Sequence, residues 1–260
     1  MPLFIANWKM HGGAAFCRQW AQEWAGAFVD DNGENDGGGC HAEVVVCPPF
    51  AYIGALRAQL SAVGGAAKDV LIGAQDISRF DADGAYTGEV SARMAAECGC
   101  AYVIIGHSER RRLFGEDDAA VAAKLRAAIG AGLRPVLCIG ESEGQKQQGK
   151  TAAVINEQLA AAAAIGDIGA QKLVIAYEPV WAIGSGQTPE AGDIAKVQKV
   201  IRQKLMSQSG AFGGRIPILY GGSVRADNVA VLLGDGDVDG VLVGGACLSA
   251  AGFAAITRMP

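Results

Sequence analysis

The stretch AYVIIGHSERR (101–111) runs from an uninterrupted apolar segment, through one glycine, into a polar cluster. An uninterrupted apolar run of this length is typical of a strand buried on both faces, as in a parallel sheet, whereas a half-exposed strand alternates. The segment after the glycine has helical character over Glu109–Arg112. The stretch therefore predicts a buried strand that ends in polar side chains and leads directly into a helix.

The same arrangement recurs along the whole chain. The apolar, β-prone runs, each ending in glycine, proline or a polar cluster, are Leu3–Trp8, Glu43–Cys47, Val70–Ala74, Tyr102–Ile105, Pro135–Ile139, Leu173–Tyr177, Ile216–Tyr220 and Gly240–Val243. Helical segments rich in Ala, Gln, Lys or Leu lie between them, for example Ala14–Val29, Asp117–Ile129, Thr151–Ala164 and Glu190–Ser207. The stretch Asp30–His41 (DDNGENDGGGCH) is typical of a solvated loop extension.

Strands alternating with helices fit either a closed barrel or an open doubly wound sheet. An open sheet concentrates its site at one switch point, whereas a barrel assembles a site from many strand ends. In this chain polar or glycine-rich clusters follow at least five strands, and no Pro/Gly/Ser linker divides the sequence. We therefore expect an α/β fold, a (β/α)8 barrel, forming a single domain over residues 1–260.

Composition excludes several classes of partner. The net charge is −5, without the basic stripe that binds nucleic acid. The longest apolar run, Leu159–Ile165, is far shorter than the roughly 20 residues of a membrane span, and the N-terminus is too short and polar for a signal peptide. We expect a soluble, cytoplasmic protein. Its seven cysteines show no C-x-x-C pair, since one residue separates Cys98 from Cys100; we expect buried, reduced thiols and no metal site.

Two strand ends carry groups suited to acid–base chemistry. His107 is compatible with a structural role, but a histidine near a helix N-terminus is disfavoured as imidazolium and can donate to a developing oxyanion as a neutral ring. Glu178 is compatible with a solvated strand end. It also opens the segment YEPVWAIGSGQTP (177–189), in which two prolines bracket a pliable, partly apolar tip, as a water-excluding lid requires. Covering the carboxylate with Trp181 and Ile183 would raise its pKa.

Other strand ends suggest a site for a small anion. Lys9 follows Asn7 and Trp8, and fits either a solvated lysine or a positioned charge. Glycine pairs follow the last two strands, in YGGS (220–223) and GGA (244–246), where barrels commonly hold phosphate through backbone amides.

One nucleotide-binding pattern is rejected. GQKQQGKT (144–151) satisfies the P-loop spacing, but Glu141-Ser142-Glu143 separates it from the preceding strand, whereas a P-loop opens directly from one. We interpret this stretch as the approach to the next helix. The Rossmann fingerprint is also missing after the first strand, where Asn-Trp-Lys stands instead.

The chain resembles the triosephosphate isomerase family. The motifs that carry the resemblance occur in family order over almost the whole chain: NWKM (7–10), GAYTGE (84–89), IIGHSERR (104–111), CIGE (138–141), YEPVWAIGSGQTP (177–189), YGGSV (220–224) and LVGGA (242–246). The resemblance implies reversible conversion of dihydroxyacetone phosphate and D-glyceraldehyde 3-phosphate, in glycolysis and gluconeogenesis, without metal or organic cofactor.

The same resemblance implies roles for individual residues. By motif position Glu178 is the general base, His107 the electrophile, Lys9 a positive charge in the site, and Asn7 a neighbour of the substrate oxygens. The residues expected to bind the phosphate are Gly184, Ser223, Gly244 and Gly245. The residues expected to support the site are Ser108 and Glu109, near Glu178 and Lys9, and Cys138, near the base.

The resemblance also implies a homodimer. In the family the loop that corresponds to Gly84–Glu89 reaches into the neighbouring subunit, so Thr87 is expected to support Asn7 of a partner. The chain departs from the commonest family pattern at His11, Ala92 and Cys247. The first of these could alter the dimer contact, and none touches the expected acid–base pair.

Two other functions are compatible with a barrel. A sugar-phosphate enzyme of the aldolase kind would need a Schiff-base lysine or metal ligands at a strand end, and Lys9 is the one well-placed lysine. A non-catalytic binding protein is the second alternative, because a fold alone does not determine function. Such a protein would require a lost base or lid, and both are present in this sequence.

Overall fold

The computed structural model describes residues 1–29, 42–183, 191–234 and 237–258. The expected loop Asp30–His41 and the tip of the expected lid, residues 184–190, lie outside that range. The strands are β1 (Leu3–Asn7), β2 (Glu43–Cys47), β3 (Leu71–Ala74), β4 (Cys100–Ile105), β5 (Arg134–Ile139), β6 (Val174–Tyr177), β7 (Ile218–Tyr220) and β8 (Gly240–Val243). All pair in parallel in sequence order, and β8 pairs with β1, which confirms the predicted (β/α)8 barrel.

Helices follow the strands around the outside. They are α1 (Ala14–Gly26), α2 (Ile53–Val63), α3 (Ala92–Glu97), α4 (Ser108–Phe114), α5 (Asp118–Gly130), α6 (Glu143–Gln147), α7 (Thr151–Ala160), α8 (Gly166–Ala170), α9 (Ala191–Ser209), α10 (Val229–Gly234) and α11 (Ala250–Thr257). The rejected P-loop pattern at 144–151 contains most of α6 and the first residue of α7. Among the helices of the described ranges, none is long and apolar enough to cross a bilayer.

The hydrophobic core has two layers, because the strands are buried on both faces. One layer fills the barrel interior with alternate strand residues, such as Leu3 and Ile5 of β1 and Val174 and Ala176 of β6. The other, larger layer lies between the barrel and the helices. In that layer α1 contributes an aromatic row in which Trp20 and Trp24 stack with ring centroids 5.3 Å apart. The uninterrupted apolar runs of the sequence follow from this double burial.

The N-terminal end of the barrel is closed by a polar group of three residues. The Tyr102 hydroxyl, which projects from β4 into the interior, donates to the Glu43 carboxylate at 2.6 Å. Arg134 forms an ion pair with Glu43 at 3.2 Å, hydrogen-bonds to the Tyr102 hydroxyl, and lies over the tyrosine ring at 4.8 Å. A hydrogen-bonded network therefore satisfies the polar atoms that the barrel buries at this end.

Candidate active site

The period of the strands determines which polar residues face the inside of the barrel. Leu3 and Ile5 point inward along β1, and two residues further on lies Asn7. Val174 and Ala176 point inward along β6, and the next residue in that series is Glu178. Because side chains alternate along a strand, both polar groups lie on the interior side at the C-terminal rim. The side chains of Asn7 and Glu178 are buried.

His107 reaches the same rim by a different route. Tyr102 and Ile104 point inward along β4, so an unbroken strand would turn His107 outward. Gly106 interrupts the strand in the left-handed region, with φ of 69°, a conformation that costs glycine little. Arg111 stabilises this turn by donating from Nε to the Gly106 carbonyl at 2.9 Å. The turn directs the imidazole into the barrel mouth.

The imidazole and the carboxylate meet directly. His107 Nε2 lies 3.0 Å from Glu178 Oε1, and both side chains are less than a tenth exposed. The backbone N–H of Ser108 donates to Glu178 Oε2 at 3.1 Å. Glu109 donates its backbone N–H to His107 Nδ1 at 3.2 Å, so His107 caps α4 and holds Nδ1 as an acceptor. The remaining ring nitrogen, Nε2, is then the one that carries a proton toward Glu178.

Charge in the site follows from these contacts. Burial opposes ionisation of Glu178, but His107, the Ser108 N–H and Lys9 outweigh it and lower the pKa of the carboxyl. Burial likewise opposes protonation of His107, while the adjacent Glu178 carboxylate raises the pKa of the imidazole above its ordinary value. In the ligand-free site two effects on the imidazole therefore oppose each other. The N-terminus of the following helix favours the neutral ring, whereas the close Glu178 carboxylate favours the protonated ring. The neutral imidazole stays a prediction for the state in which a ligand separates the two groups.

Lys9 is held in a strained conformation. Its φ is 52°, and it is the one non-glycine residue of the described chain with positive φ; such a conformation costs of order 1–3 kcal/mol and persists where surrounding contacts impose it. The side-chain oxygen of Asn7 accepts from the Lys9 N–H at 3.0 Å. The Lys9 ammonium forms an ion pair with Glu109 at 2.6 Å. These contacts hold the side chain of Lys9 at the rim of the barrel.

Gln75 also holds Lys9, and the sequence-based predictions missed it. It follows β3 directly, and its side-chain amide donates to the carbonyl oxygens of Lys9 at 2.8 Å and Cys47 at 2.9 Å. Like Glu178, Gln75 comes directly after a strand, and this position is the sequence feature that could have identified it. A lone glutamine at a strand end, however, does not indicate a ligand or a reaction.

Glu141 is a second residue whose role the sequence left unassigned. Its carboxylate is buried and accepts from the Tyr177 hydroxyl at 3.2 Å to both oxygens and from the Trp181 indole at 3.1 Å. It thus ties the strand before Glu178 to the segment after it. Gly140, its neighbour, packs so tightly that an added Cβ would lie 1.7 Å from the Glu178 carbonyl oxygen.

One cavity of about 420 Å³ collects most of the expected site residues. Its lining includes Asn7, Lys9, His107, Glu178, Ser223, Gly244 and Gly245. Ile183, the last described residue before the expected lid tip, also lines it, while Gly184 lies outside the described residues. The Ser223 hydroxyl donates to the Ala182 carbonyl at 3.3 Å, linking the β7 loop to the start of the lid segment.

The remaining expected residues lie around this cavity. Ser108 and Cys138 line a second cavity of about 290 Å³ on the other side of Glu178. Burial, followed by the nearby Glu178 charge, raises the pKa of the Cys138 thiol. Glu109 lines a third cavity of about 400 Å³, beside Lys9. Thr87 lies on an exposed loop and does not reach the cavity of its own chain.

Comparison with known proteins identifies the family of the chain. A family model described as triosephosphate isomerase matches residues 2–259. This chain belongs to the triosephosphate isomerase family. It is 45% identical over 256 residues to a triosephosphate isomerase of Halorhodospira halophila, covering 98% of this chain and 96% of the relative. It is 45% identical over 254 residues to that of Alkalilimnicola ehrlichii, covering 97% and 95%.

The fold agrees with a solved member of the triosephosphate isomerase family. The crystal structure of the enzyme from Bartonella henselae superposes with a TM-score of 0.82 at 35% identity, covering 98% of this chain and 97% of that one. The family membership supports isomerase chemistry and gives no support to the aldolase-like alternative.

Proposed function

We propose that this chain interconverts dihydroxyacetone phosphate and D-glyceraldehyde 3-phosphate, as a step of glycolysis and gluconeogenesis. The reaction moves one proton between adjacent carbons through an enediolate. The observation that carries the proposal is the convergence of Glu178 and His107, from β6 and β4, on one cavity with 3.0 Å between their reacting atoms. A base and an oxyanion donor on one small cavity is what proton abstraction next to a carbonyl requires.

Glu178 is the general base in this proposal. The contacts that lower its pKa keep the carboxylate ionised before substrate arrives. His107, as the neutral Nε2–H tautomer, donates to the carbonyl oxygen that becomes the enediolate; substrate separates it from Glu178, and the Glu109 N–H at Nδ1 favours the neutral ring. These two roles and the closing lid are the known mechanism of this family and are carried over by motif position.

The other groups bind and stabilise the anionic substrate. Lys9 supplies positive charge where negative charge develops, and Asn7 orients both Lys9 and the substrate oxygens. Ser223, Gly244 and Gly245, which line the same cavity, hold the phosphate together with Gly184 of the lid. An anion of this kind is bound by backbone N–H groups without a large basic patch, in keeping with the net charge of −5.

The proposed catalytic unit is a homodimer, each subunit a single domain over residues 1–260. The loop Gly84–Glu89 is exposed throughout, and Tyr86 stacks on Phe80 at 3.7 Å, so the loop is preformed. Next to Lys9 lies the third cavity, of about 400 Å³, beside Met10 and Phe114, which are 94% and 68% exposed. A partner's loop in that cavity would bring Thr87 to Asn7. We further propose that the protein works in the cytoplasm without a metal or organic cofactor.

The deciding experiment is a coupled assay of glyceraldehyde 3-phosphate conversion by the purified protein. Glu178→Asp withdraws the base by one methylene, and a misplacement of about 1 Å costs on the order of 10²-fold in rate. His107→Gln replaces the positioned imidazole donor by an amide that is not held at the same place, at a cost of about 10²–10³-fold. Glu157→Asp, at an exposed position, is the matched control and should retain activity. Near-normal turnover in either site variant would reject the role proposed for the residue replaced.

Two further measurements separate the alternatives. Borohydride reduction in the presence of substrate would trap an imine on Lys9 if the chain were an aldolase; we expect no adduct. Sedimentation velocity should give a dimer for the parent protein, and Thr87→Arg should give monomers with low kcat. A parent protein that is monomeric and fully active would reject the dimer.

A further inference from the structure

Six of the seven cysteines lie in the described residues, and five of these six are buried, as the sequence predicted. The expectation is wrong for Cys98, which is exposed because it follows the short surface helix α3. Cys98 belongs to the sequence Cys98-Gly99-Cys100, and Cys100 is the first residue of β4, with 7% of its surface exposed. The two thiols therefore differ in access, one open to solvent and one just beneath it.

The backbone between them is sharply bent. Cys98 is right-handed, with φ −69° and ψ −5°, and Gly99 then takes a φ of 91°, which glycine adopts at little cost. Residues two apart in a fully extended chain are separated by about 7 Å, and a bend brings them closer. A disulfide requires Cα atoms within roughly 4.4–6.8 Å. Because Cys98 and Cys100 are only two residues apart and Gly99 is not fully extended, a Cα separation within this range is compatible with the local chain.

A guanidinium lies against the bend. The nearest atoms to a Cβ built on Gly99 are those of the Arg57 guanidinium, at 2.7–2.9 Å. Arg57 also donates from Nη1 to the Cys98 carbonyl at 3.4 Å. A side chain at residue 99 would displace the guanidinium from this position. The positive charge of Arg57 acts to lower the pKa of Cys100, and thiolate is the nucleophilic form in disulfide exchange.

The two sulfur atoms interact electrostatically. Burial, and after it the charge of a Cys98 thiolate, raises the pKa of Cys100 to about 12, while Arg57 acts in the opposite direction. Because Cys98 is exposed and Cys100 is buried, Cys98 reacts first with an external reagent and Cys100 reacts second.

We propose that Cys98 and Cys100 form a redox-active dithiol, which low-molecular-weight disulfides such as oxidised glutathione convert to an intrachain disulfide. The Cys98 thiolate attacks one sulfur of the reagent, forming a mixed disulfide and releasing one thiolate. The Cys100 thiolate then attacks the Cys98 sulfur and releases the second thiolate. Two protein thiols are oxidised, one reagent disulfide is reduced to two thiols, and the two protein protons pass to the released thiolates. An excess of dithiol reductant reverses the exchange.

This site lies at the opposite end of the barrel from the candidate active site. Cys100 begins β4 beside Ile72 of β3, whereas His107 follows the other end of β4. Oxidation therefore leaves the catalytic groups in place, and we expect kcat of the oxidised protein to remain within about twofold of the reduced value.

Intact and peptide mass spectrometry tests the proposal. The full-length protein is incubated with oxidised glutathione, quenched with iodoacetamide and digested. We expect a peptide spanning residues 98–100 that has lost two hydrogens and carries neither glutathione nor carbamidomethyl. Cys100→Ser should stop at a stable glutathione adduct on Cys98, and Cys98→Ser should give no product at this site. Cys17→Ser, at a buried cysteine elsewhere, is the control and should still form the disulfide.

Three outcomes would overturn the proposal. The first is a glutathione adduct that persists on Cys98 of the parent protein, since Cys100 would then not react. The second is a disulfide that joins either cysteine to a different residue. The third is reaction of this pair only in urea. Arg57→Gln should slow the second step, the attack by Cys100, roughly threefold, the size expected for an exposed charge pair; an unchanged rate of that step would remove Arg57 from the site.

Discussion

Gly140→Ala should impair catalysis without altering any group that touches substrate. An alanine Cβ at this position lies 1.7 Å from the carbonyl oxygen of Glu178, and ordinary contact begins at 3.4 Å. The two strand ends must therefore separate by 3.4 − 1.7 = 1.7 Å, unless the movement is shared with neighbours. The Glu178 N–H donates to the Ile139 carbonyl at 2.7 Å, so Glu178 is attached to the same strand end that moves.

The magnitude follows from that displacement. A shift of about 1 Å in a catalytic group costs on the order of 10²-fold in rate, or about 2.7 kcal/mol of transition-state stabilisation. Overpacking of a rigid site costs a further 1–3 kcal/mol, roughly, in the free energy of unfolding. We expect kcat for glyceraldehyde 3-phosphate to fall about 100-fold or more, with a smaller change in KM.

The assay pairs kinetics with urea unfolding followed by circular dichroism. Gly144→Ala is the matched control, because no atom lies within 4 Å of its added Cβ on the exposed helix α6. That substitution should keep full kcat and stabilise the protein by up to about 1 kcal/mol. A folded Gly140→Ala protein with parental kcat would refute the reasoning, and so would equal kinetic losses in the two variants.

Three other predictions concern the contacts of the site. The pKa of Glu178 is lowered below 4.5 and that of His107 is raised above 6.5; their pairing therefore stabilises the fold most between about pH 4.5 and 6.5 and is lost on either side. The difference in unfolding free energy between the parent and His107→Gln, measured in urea, should be largest in that window; a difference that does not vary with pH would contradict the pairing. Gln75→Leu removes the hydrogen bond to the carbonyl of the strained Lys9 and the one to the Cys47 carbonyl, so kcat/KM should fall about tenfold in the coupled assay, whereas an unchanged value would show that the strain is held elsewhere. Glu141→Gln leaves fewer acceptor sites for the two donors, the Tyr177 hydroxyl and the Trp181 indole, so kcat should fall severalfold and acrylamide should quench the fluorescence of Trp181 more strongly; a parental quenching constant would count against this role.

The sequence predicted the barrel because its signal is repeated. Eight apolar runs of similar length, each followed by a polar or glycine-rich cluster, carry more information than any one run. Burial on both faces is a property of every strand, so the absence of alternation was itself informative. The strand starts of β3, β4, β5, β6 and β7 differ by one or two residues from the predicted ones, because the end of a strand depends on its pairing partner.

The site was predictable where a residue continues a strand and less so where it depends on distant contacts. Asn7 and Glu178 follow from position alone. His107 faces the cavity because the turn at Gly106 redirects the chain after the strand. The φ of a glycine cannot be predicted from the sequence alone. Gln75 and Glu141 act through partners far away in the chain, which a single sequence does not reveal. The exposure of Cys98 depends on how α3 packs.

The polar closure of the barrel floor by Glu43, Tyr102 and Arg134 has a consequence for how this protein can change. Contacts that stabilise the fold lie at the N-terminal end of the barrel, and the catalytic groups lie at the C-terminal end. The two layers of the hydrophobic core lie between them. Substitutions that raise the melting temperature should therefore accumulate near the floor at no cost in rate. The loops at the mouth would then remain free to diversify toward other small phosphorylated substrates.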